Sequence, residues 1–241
     1  AERSELRRHI AQNDILNVVF VAADIHGTLV NNVNYQDGPG QPQIATGAFE
    51  ISTGAVAYDA PFGPTVAALA AGLGVPGALP LAVYLSLQLP QREAYIQAVV
   101  NAQVSALGYD PLGLSGSDID ATLLQGGYTA TNTYGWSEFQ IDALTQNLTI
   151  TTFGVTAYTA EDLASHPDQV TALEPAIVSS FTVRPLLCRV DVNRDRLIDS
   201  QDFFDYLALF FAGSNLADHR RDGVVNSQDV FEFLADFLLG C

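Results

Sequence analysis

The sequence predicts an α/β domain over residues 1–185 followed by a small all-α module over residues 186–241. Three observations carry this. Asn17-Val-Val-Phe-Val-Ala-Ala is an apolar run without alternation that breaks at Asp24-Ile-His26-Gly27, the pattern of a strand buried on both faces. Helix-period and strand-period segments then follow one another to Val183. Beyond a change of composition at Leu186-Leu-Cys188, a twelve-residue string beginning at Asp191 returns 27 residues later at Asp218, and an apolar helical segment follows each copy.

With 241 residues, 48% of them hydrophobic, the chain has material for a real core. Its net charge of −17, with every basic residue an Arg, excludes nucleic acid and anionic membrane surfaces as partners, since either would be repelled. There is no Met, so the chain reads as a processed product or a fragment, from which any signal peptide would already be gone.

Taken in order, residues 1–13 hold charged helix formers with Leu6 and Ile10 four apart, and Asn13 ends a short helix. The strand that follows delivers Asp24 and His26 to its carboxyl end, where α/β sheets place their chemistry. On a strand the two side chains share one side, so that a carboxylate and an imidazole can hold a metal or a phosphate together. The alternative is an Asp that caps the next turn, with His as polar filler. Residues 34–46 read as a loop, 47–53 as a strand, and Tyr58-Asp-Ala-Pro-Phe-Gly-Pro64 as a fixed turn.

No charge occurs between Asp59 and Arg92. Gly72, Gly74, Pro76, Gly77 and Pro80 interrupt this stretch, and a membrane span needs roughly 20 unbroken apolar residues. A helix over 65–72 and an apolar segment over 80–89 fit core packing, with a flap beside the active face as the alternative. Tyr95, Ile96, Val99, Val100, Val104 and Leu107 lie at helical spacing over 91–107, and Gly108 stops that helix. Residues 109–126 read as a loop with one helical turn near 118–124. Residues 128–142 and 148–156 alternate as a hairpin turning at Gln146-Asn147. Tyr134 and Trp136 share one face of it, as core fillers or as a stacking platform for substrate. Asn147-Leu-Thr149 is a glycosylation acceptor only in a eukaryotic secretory setting. Residues 160–175 begin as a helix and turn at Pro167, and 177–183 form a final strand.

The order of the Asn17–His26 segment, the Phe49–Thr65 segment and Asn132-Thr-Tyr134-Gly-Trp136-Ser-Glu-Phe-Gln-Ile-Asp resembles the carboxyl-terminal half of alkaline phosphatase D-like, calcineurin-like metallophosphoesterases. The resemblance spans roughly residues 1–185. It implies part of a β-sandwich flanked by helices, and assigns Asp24 and His26 as metal ligands and catalytic residues acting on a phosphate ester. Ala23 stands where that family has Gly. The family's earlier motifs, Asp-x-His, Gly-Asp-x-x-Asp and Asn-His-Glu/Asp, have no counterpart in residues 1–16. A two-metal centre of iron, zinc, manganese or calcium would therefore have to be completed by an amino-terminal half outside this chain.

In the tail, oxygen-bearing side chains at loop positions 1, 3, 5, 9 and 12, with a backbone carbonyl at 7, form the oxygen cage that calcium requires. The first site is Asp191, Asn193, Asp195, Leu197, Asp199 and Asp202. The second is Asp218, Asp222, Val224, Asn226 and Asp229, with Arg220 where a ligand belongs. Arg196 stands in the first loop where Gly would supply a positive φ, a strain of about 1 kcal/mol. The first site is expected to bind calcium more tightly. Phe203, Phe204, Leu207, Phe210 and Phe211 match Val230, Phe231, Leu234, Phe237 and Leu238 one for one, and predict two helices packed through one apolar face.

These loops, ending in Asp and lacking a preceding helix, resemble those of dockerin domains, the EF-hand-like attachment modules. The resemblance implies that Ser200 and Gln201, with their equivalents Ser227 and Gln228, face a protein partner or cell-surface anchor, and that the partner is bound in either of two orientations. Cys188 and Cys241 bracket the module. A disulfide between them would add about 4 kcal/mol in the chain-entropy model and imply an oxidising compartment; two free thiols are the alternative.

Together the resemblances imply a fragment of a bacterial, secreted, cell-surface or periplasmic phosphoesterase of phosphodiesterase or alkaline phosphatase type, inactive as this chain alone and carrying a calcium-binding attachment module. The competing expectation is a non-catalytic, calcium-stabilised extracellular binding or structural protein on the same scaffold.

Overall fold

The computed structural model describes residues 2–13, 15–38, 40–56, 60–185, 189–193, 195, 197–220 and 222–239. The chain divides into two compact units: Val18–Arg184, and the first 17 residues together with everything from Pro185 onward. The architecture is mixed α/β, with eight α-helices and two four-stranded sheets among the described residues.

In the larger unit the first sheet has the order β1(Val19–Ala22), β3(Ile44–Ser52), β2(Thr28–Tyr35), β5(Thr129–Ala130). β1 runs parallel to β3, and β2 lies antiparallel between β3 and β5. The second sheet is antiparallel, in the order β4(Ala121–Gly126), β8(Ala176–Val183), β7(Leu148–Thr156), β6(Thr133–Ile141). One core joins the two sheets. Val30, Phe49 and Ile51 meet Ile150, Phe181 and Val183, with Leu114 and Tyr128 closing the cluster. Phe181 sits at its centre, edge-on to the rings of Phe49 and Tyr128.

Helices α2(Gly63–Gly72), α3(Leu81–Ser86) and α4(Leu89–Ala106) pack through Ala67, Tyr84 and Ile96. The uncharged stretch thus gives Ala67 and Tyr84 to a packed cluster and leaves Leu69, Leu73, Val83 and Leu85 exposed, and no helix among the described residues is long and apolar enough to cross a membrane. A polar knot ties these helices to the segment before β6. The Glu93 carboxylate accepts from the backbone N–H groups of Thr131 and Asn132 and from both side chains. The Tyr84 hydroxyl donates to Asn132 Oδ1 at 2.5 Å. Burial pushes the Tyr84 phenol up to about 12.

Three sequence expectations fail here. β1 is not buried on both faces: it is an edge strand paired only with β3, and Val21 is 61% exposed. Residues 118–124 do not form a helical turn, because Ala121–Gly126 pair with β8 and the ladder overrides the local helix preference. β2 begins at Thr28, well before the loop read over 34–46, and its apolar alternation is hidden by Asn31, Asn32 and Asn34.

In the smaller unit α1(Glu2–Gln12) buries Ile10 and Ala11. The amino-terminal helix therefore belongs with the tail rather than with the strand it leads into. Helices α5(Ala160–Ser165) and α6(Pro167–Thr171) precede β8 in the larger unit, and α7(Ser200–Phe211) and α8(Ser227–Leu239) complete the tail, joined by a 3-10 turn over Asn215–Ala217.

Candidate functional site

The duplicated loops share the hydrogen bonds that close them. At position 12, Asp202 and Asp229 are fully buried, and each closes its loop in the same way. Oδ1 accepts from the backbone N–H of position 3, Asn193 or Arg220, and Oδ2 from that of position 9, Asp199 or Asn226. The side chains of Asp199 and Asn226 accept in turn from the N–H groups of Gln201 and Gln228. Position 9 is thus the helix N-cap and position 12 the third helical residue, a reciprocal capping box built from the loop itself. At position 5, Asp195 and Asp222 accept from Leu197 and Val224.

The helix pair repeats as well. Tyr206 and Phe233 are equivalent residues 27 apart, and their rings stack on each other at 3.9 Å and 4°. Contact between equivalent positions is what a local twofold axis produces. Val190, Ala217 and these two rings form the tail core, with Phe203, Phe210, Val230 and Phe237 partly buried against it. The apolar face expected from the sequence is therefore rotated. Phe204, Phe211, Phe231 and Leu238 are 61–81% exposed, while the central pair, Tyr206 and Phe233, was not in the predicted stripe. Adjacent Phe203-Phe204 and Phe210-Phe211 offer two helical faces of similar hydrophobicity, so periodicity alone does not choose between them.

Electrostatics separate the two loops. Burial would push the Asp229 carboxyl up, but the N–H donors of Arg220 and Asn226, with the Arg220 charge nearby, outweigh it and hold it below the ordinary carboxylate value. The Arg220 guanidinium also lies 3.7 Å from Asp222 Oδ2, so it occupies the carboxylate at position 5 as well as the place of a ligand at position 3. In the first loop that place belongs to Asn193, whose Oδ1 accepts from Asp195 N–H and whose amide reaches Asp195 Oδ2 at 3.2 Å. In the second loop the Asp218 carboxylate accepts from the N–H groups of Asp222 and Gly223, with Gly223 at φ +83 supplying the left-handed turn. Arg196, the matching residue of the first loop, lies outside the described residues, as do Cys188 and Cys241.

The donor set is oxygen-only and anionic, which fits a hard cation such as calcium. Among the described residues no three His, Cys, Asp or Glu side chains are grouped to hold a metal ion. The loops are closed by their own N–H donors rather than drawn into a finished cage. Ser200, Gln201, Ser227 and Gln228 are exposed on the first turns of α7 and α8. Comparison with family models, with curated proteins and with solved structures finds no match. The resemblances drawn above rest on the motifs themselves.

In the larger unit Asp24 and His26 stand beyond β1, in the bend before β2, rather than on a strand, so strand alternation does not bring their side chains to one side. Both hold left-handed backbone, at φ +85 and +51. Asp24 is exposed and His26 half-buried, and the His26 carbonyl accepts from Phe62 N–H at 3.1 Å. A Cβ on Gly27 would run into the Phe62 ring, so the bend requires glycine there. Tyr58 and Asp59, part of the phosphoesterase-like pattern, lie outside the described residues. Tyr134 is buried and donates to the Tyr158 carbonyl, whereas Trp136 is 37% exposed.

Proposed function

We propose that the chain is a calcium-stabilised extracellular binding protein, secreted or held at a bacterial cell surface, whose duplicated tail is an attachment module. The observation that carries this reading is the 27-residue repeat of the loop hydrogen bonds, closed by buried Asp202 and Asp229 and stacked across Tyr206 and Phe233. A merely solvated Asp-rich turn has no reason to recur with its helix, its cap and its aromatic contact all at the same offset. Calcium supplies the charge that brings the remaining carboxylate oxygens of each loop together. Ser200 and Gln201, or Ser227 and Gln228, then present equivalent edges to a protein partner or surface anchor.

Titration calorimetry of the full chain with calcium, and separately with magnesium, tests this. Two unequal calcium sites are expected, with the weaker one lost first on chelation. Two equal sites, or no heat of binding, would overturn the reading.

The phosphoesterase-fragment reading keeps one observation in its favour, the left-handed backbone at both Asp24 and His26, because backbone strain gathers at functional sites. It requires an amino-terminal half to supply the remaining ligands. Hydrolysis of a chromogenic phosphodiester by a product containing that half, lost in His26→Ala, would replace the binding reading for the larger unit.

A further inference from the structure

The outward face of the second sheet is ordered in rows. Ile150, Phe181 and Val183 point into the core, so their strand neighbours point away from it. Register then aligns Gln140, Thr149, Thr182 and Thr122 across all four strands, and beside them Glu138, Thr151, Ser180 and Gln125. The hydroxyls touch along the rows: Thr149 Oγ1 donates to Thr182 Oγ1 at 3.4 Å, and the Thr151 and Ser180 hydroxyls lie 3.2 Å apart. A third row ends the array in Trp136, Phe153 and Ile177. Trp136 stacks on Phe153 at 5.2 Å and 17°, and its Nε1–H reaches Glu138 at 3.3 Å. β6 is the edge strand of this sheet; on its outer edge Gly135 N–H donates to the Ala55 carbonyl at 3.0 Å, and the neighbouring Trp136 keeps 37% of its surface exposed.

We propose that this face binds a neutral polysaccharide. The surface pairs one aromatic platform with a lattice of hydroxyl and amide groups, spaced about 4.8 Å across strands and about 6.8 Å along them. A polyhydroxylated chain of flat rings is recognised by that combination: its apolar ring face covers the indole while its hydroxyls exchange hydrogen bonds with Thr, Gln and Glu. The three rows hold no cation, and the whole chain carries a charge of −17, so phosphorylated or sulfated polymers are poor ligands. A protein partner is disfavoured because the first two rows offer no large apolar anchor. The proposal deepens the binding-protein reading and rests on it, but uses no residue of the calcium tail.

Trp136 is the one tryptophan of the chain, so its fluorescence reports on this face alone. The full chain, in calcium and in chelator, is titrated with soluble β-glucan, xylan, mannan and α-glucan, with dextran sulfate as the anionic comparison, and the same polymers are cast into native gels. At least one neutral polymer is expected to shift the emission and retard migration. Trp136→Ala, read by retardation, should weaken that binding about tenfold or more. Gln140→Ala and Thr151→Val, which leave the aromatic row intact, should weaken it less, with unchanged circular dichroism. The proposal is overturned if no neutral polymer binds, if dextran sulfate binds better than all of them, or if Trp136→Ala retains full binding. Calorimetric calcium sites with no polysaccharide binding would sink this inference alone; polysaccharide binding without calcium sites would sink the attachment reading alone.

Discussion

The two halves of the tail share the hydrogen bonds that close each loop and start its helix, and three of their differences bear on cation and axis. Position 3 is Asn193 in one and Arg220 in the other. The central ring is a phenol, Tyr206, in one and the plain ring of Phe233 in the other. Val192, which packs on the core, is answered by His219, a buried imidazole whose Nε2 lies 2.7 Å from Asp236 Oδ2. What recurs is the machinery that closes a loop and starts a helix, and what varies sits at the cation and at the axis. The duplication therefore teaches which contacts define the fold of each half and which tune it.

Substitutions that remove what the halves share should have the largest effects. Phe233→Ala deletes a fully buried ring stacked on its own equivalent and is expected to cost about 3–5 kcal/mol in chemical denaturation of the tail. Asp202→Ala and Asp229→Ala each strip two backbone N–H groups of their acceptor and remove a cap, at about 2–3 kcal/mol. Calorimetry of those two variants should show each abolishing its own calcium site; loss of both sites from either one would mean the halves are not independent.

Substitutions at the differing points sharpen the contrast by smaller amounts. Arg220→Asn frees Asp222 and restores an oxygen, and should strengthen the second site by about tenfold, or 1.4 kcal/mol, leaving the first unchanged. Tyr206→Phe makes the axis symmetric and leaves the Ala217 carbonyl without its phenol donor, at about 1 kcal/mol near neutral pH.

The same residue gives the halves different pH behaviour. Burial, then the charges of Asp229 and Asp218, push the Tyr206 phenol from 10.0 up to about 12. A phenol raised in the folded state favours folding while protonated. Its contribution is intact below pH 10 and is lost as the pH climbs from about 10 to about 12. Ultraviolet titration of tyrosinate should show this late group disappearing in Tyr206→Phe, while Tyr84 in the larger unit continues to titrate late.

Much of the tail was legible because a duplication checks itself: two copies of Asp-x-x-x-Asp-x-x-x-(Asp or Asn)-Ser-Gln-Asp fix loop and cap without any tertiary information. The phase of the helix face was not, because Phe203-Phe204 and Phe210-Phe211 each straddle two faces and only packing selects one. In the larger unit the hairpin of β6 and β7 and the strand at β8 were written in their alternation. The edge position of β1 was not, since a run such as Val-Val-Phe-Val looks the same beside one neighbour or two. Asp24-x-His26 misled for a related reason: a spacing of two means one side only on extended backbone, and here the backbone turns left-handed at both residues. The row structure of the outer sheet face was invisible until register set Thr149 against Thr182 and Thr151 against Ser180.

Because the carboxylate that closes each loop is also the third residue of the helix behind it, a loop that opens uncaps its helix in the same event. On the proposed reading, withdrawal of calcium would therefore do more than loosen a grip. It would lay the tail open to proteases while the larger unit stays folded, so that unit would be shed from its anchorage intact. The time it spends attached would be set by the calcium supply of its surroundings rather than by the affinity of the anchor.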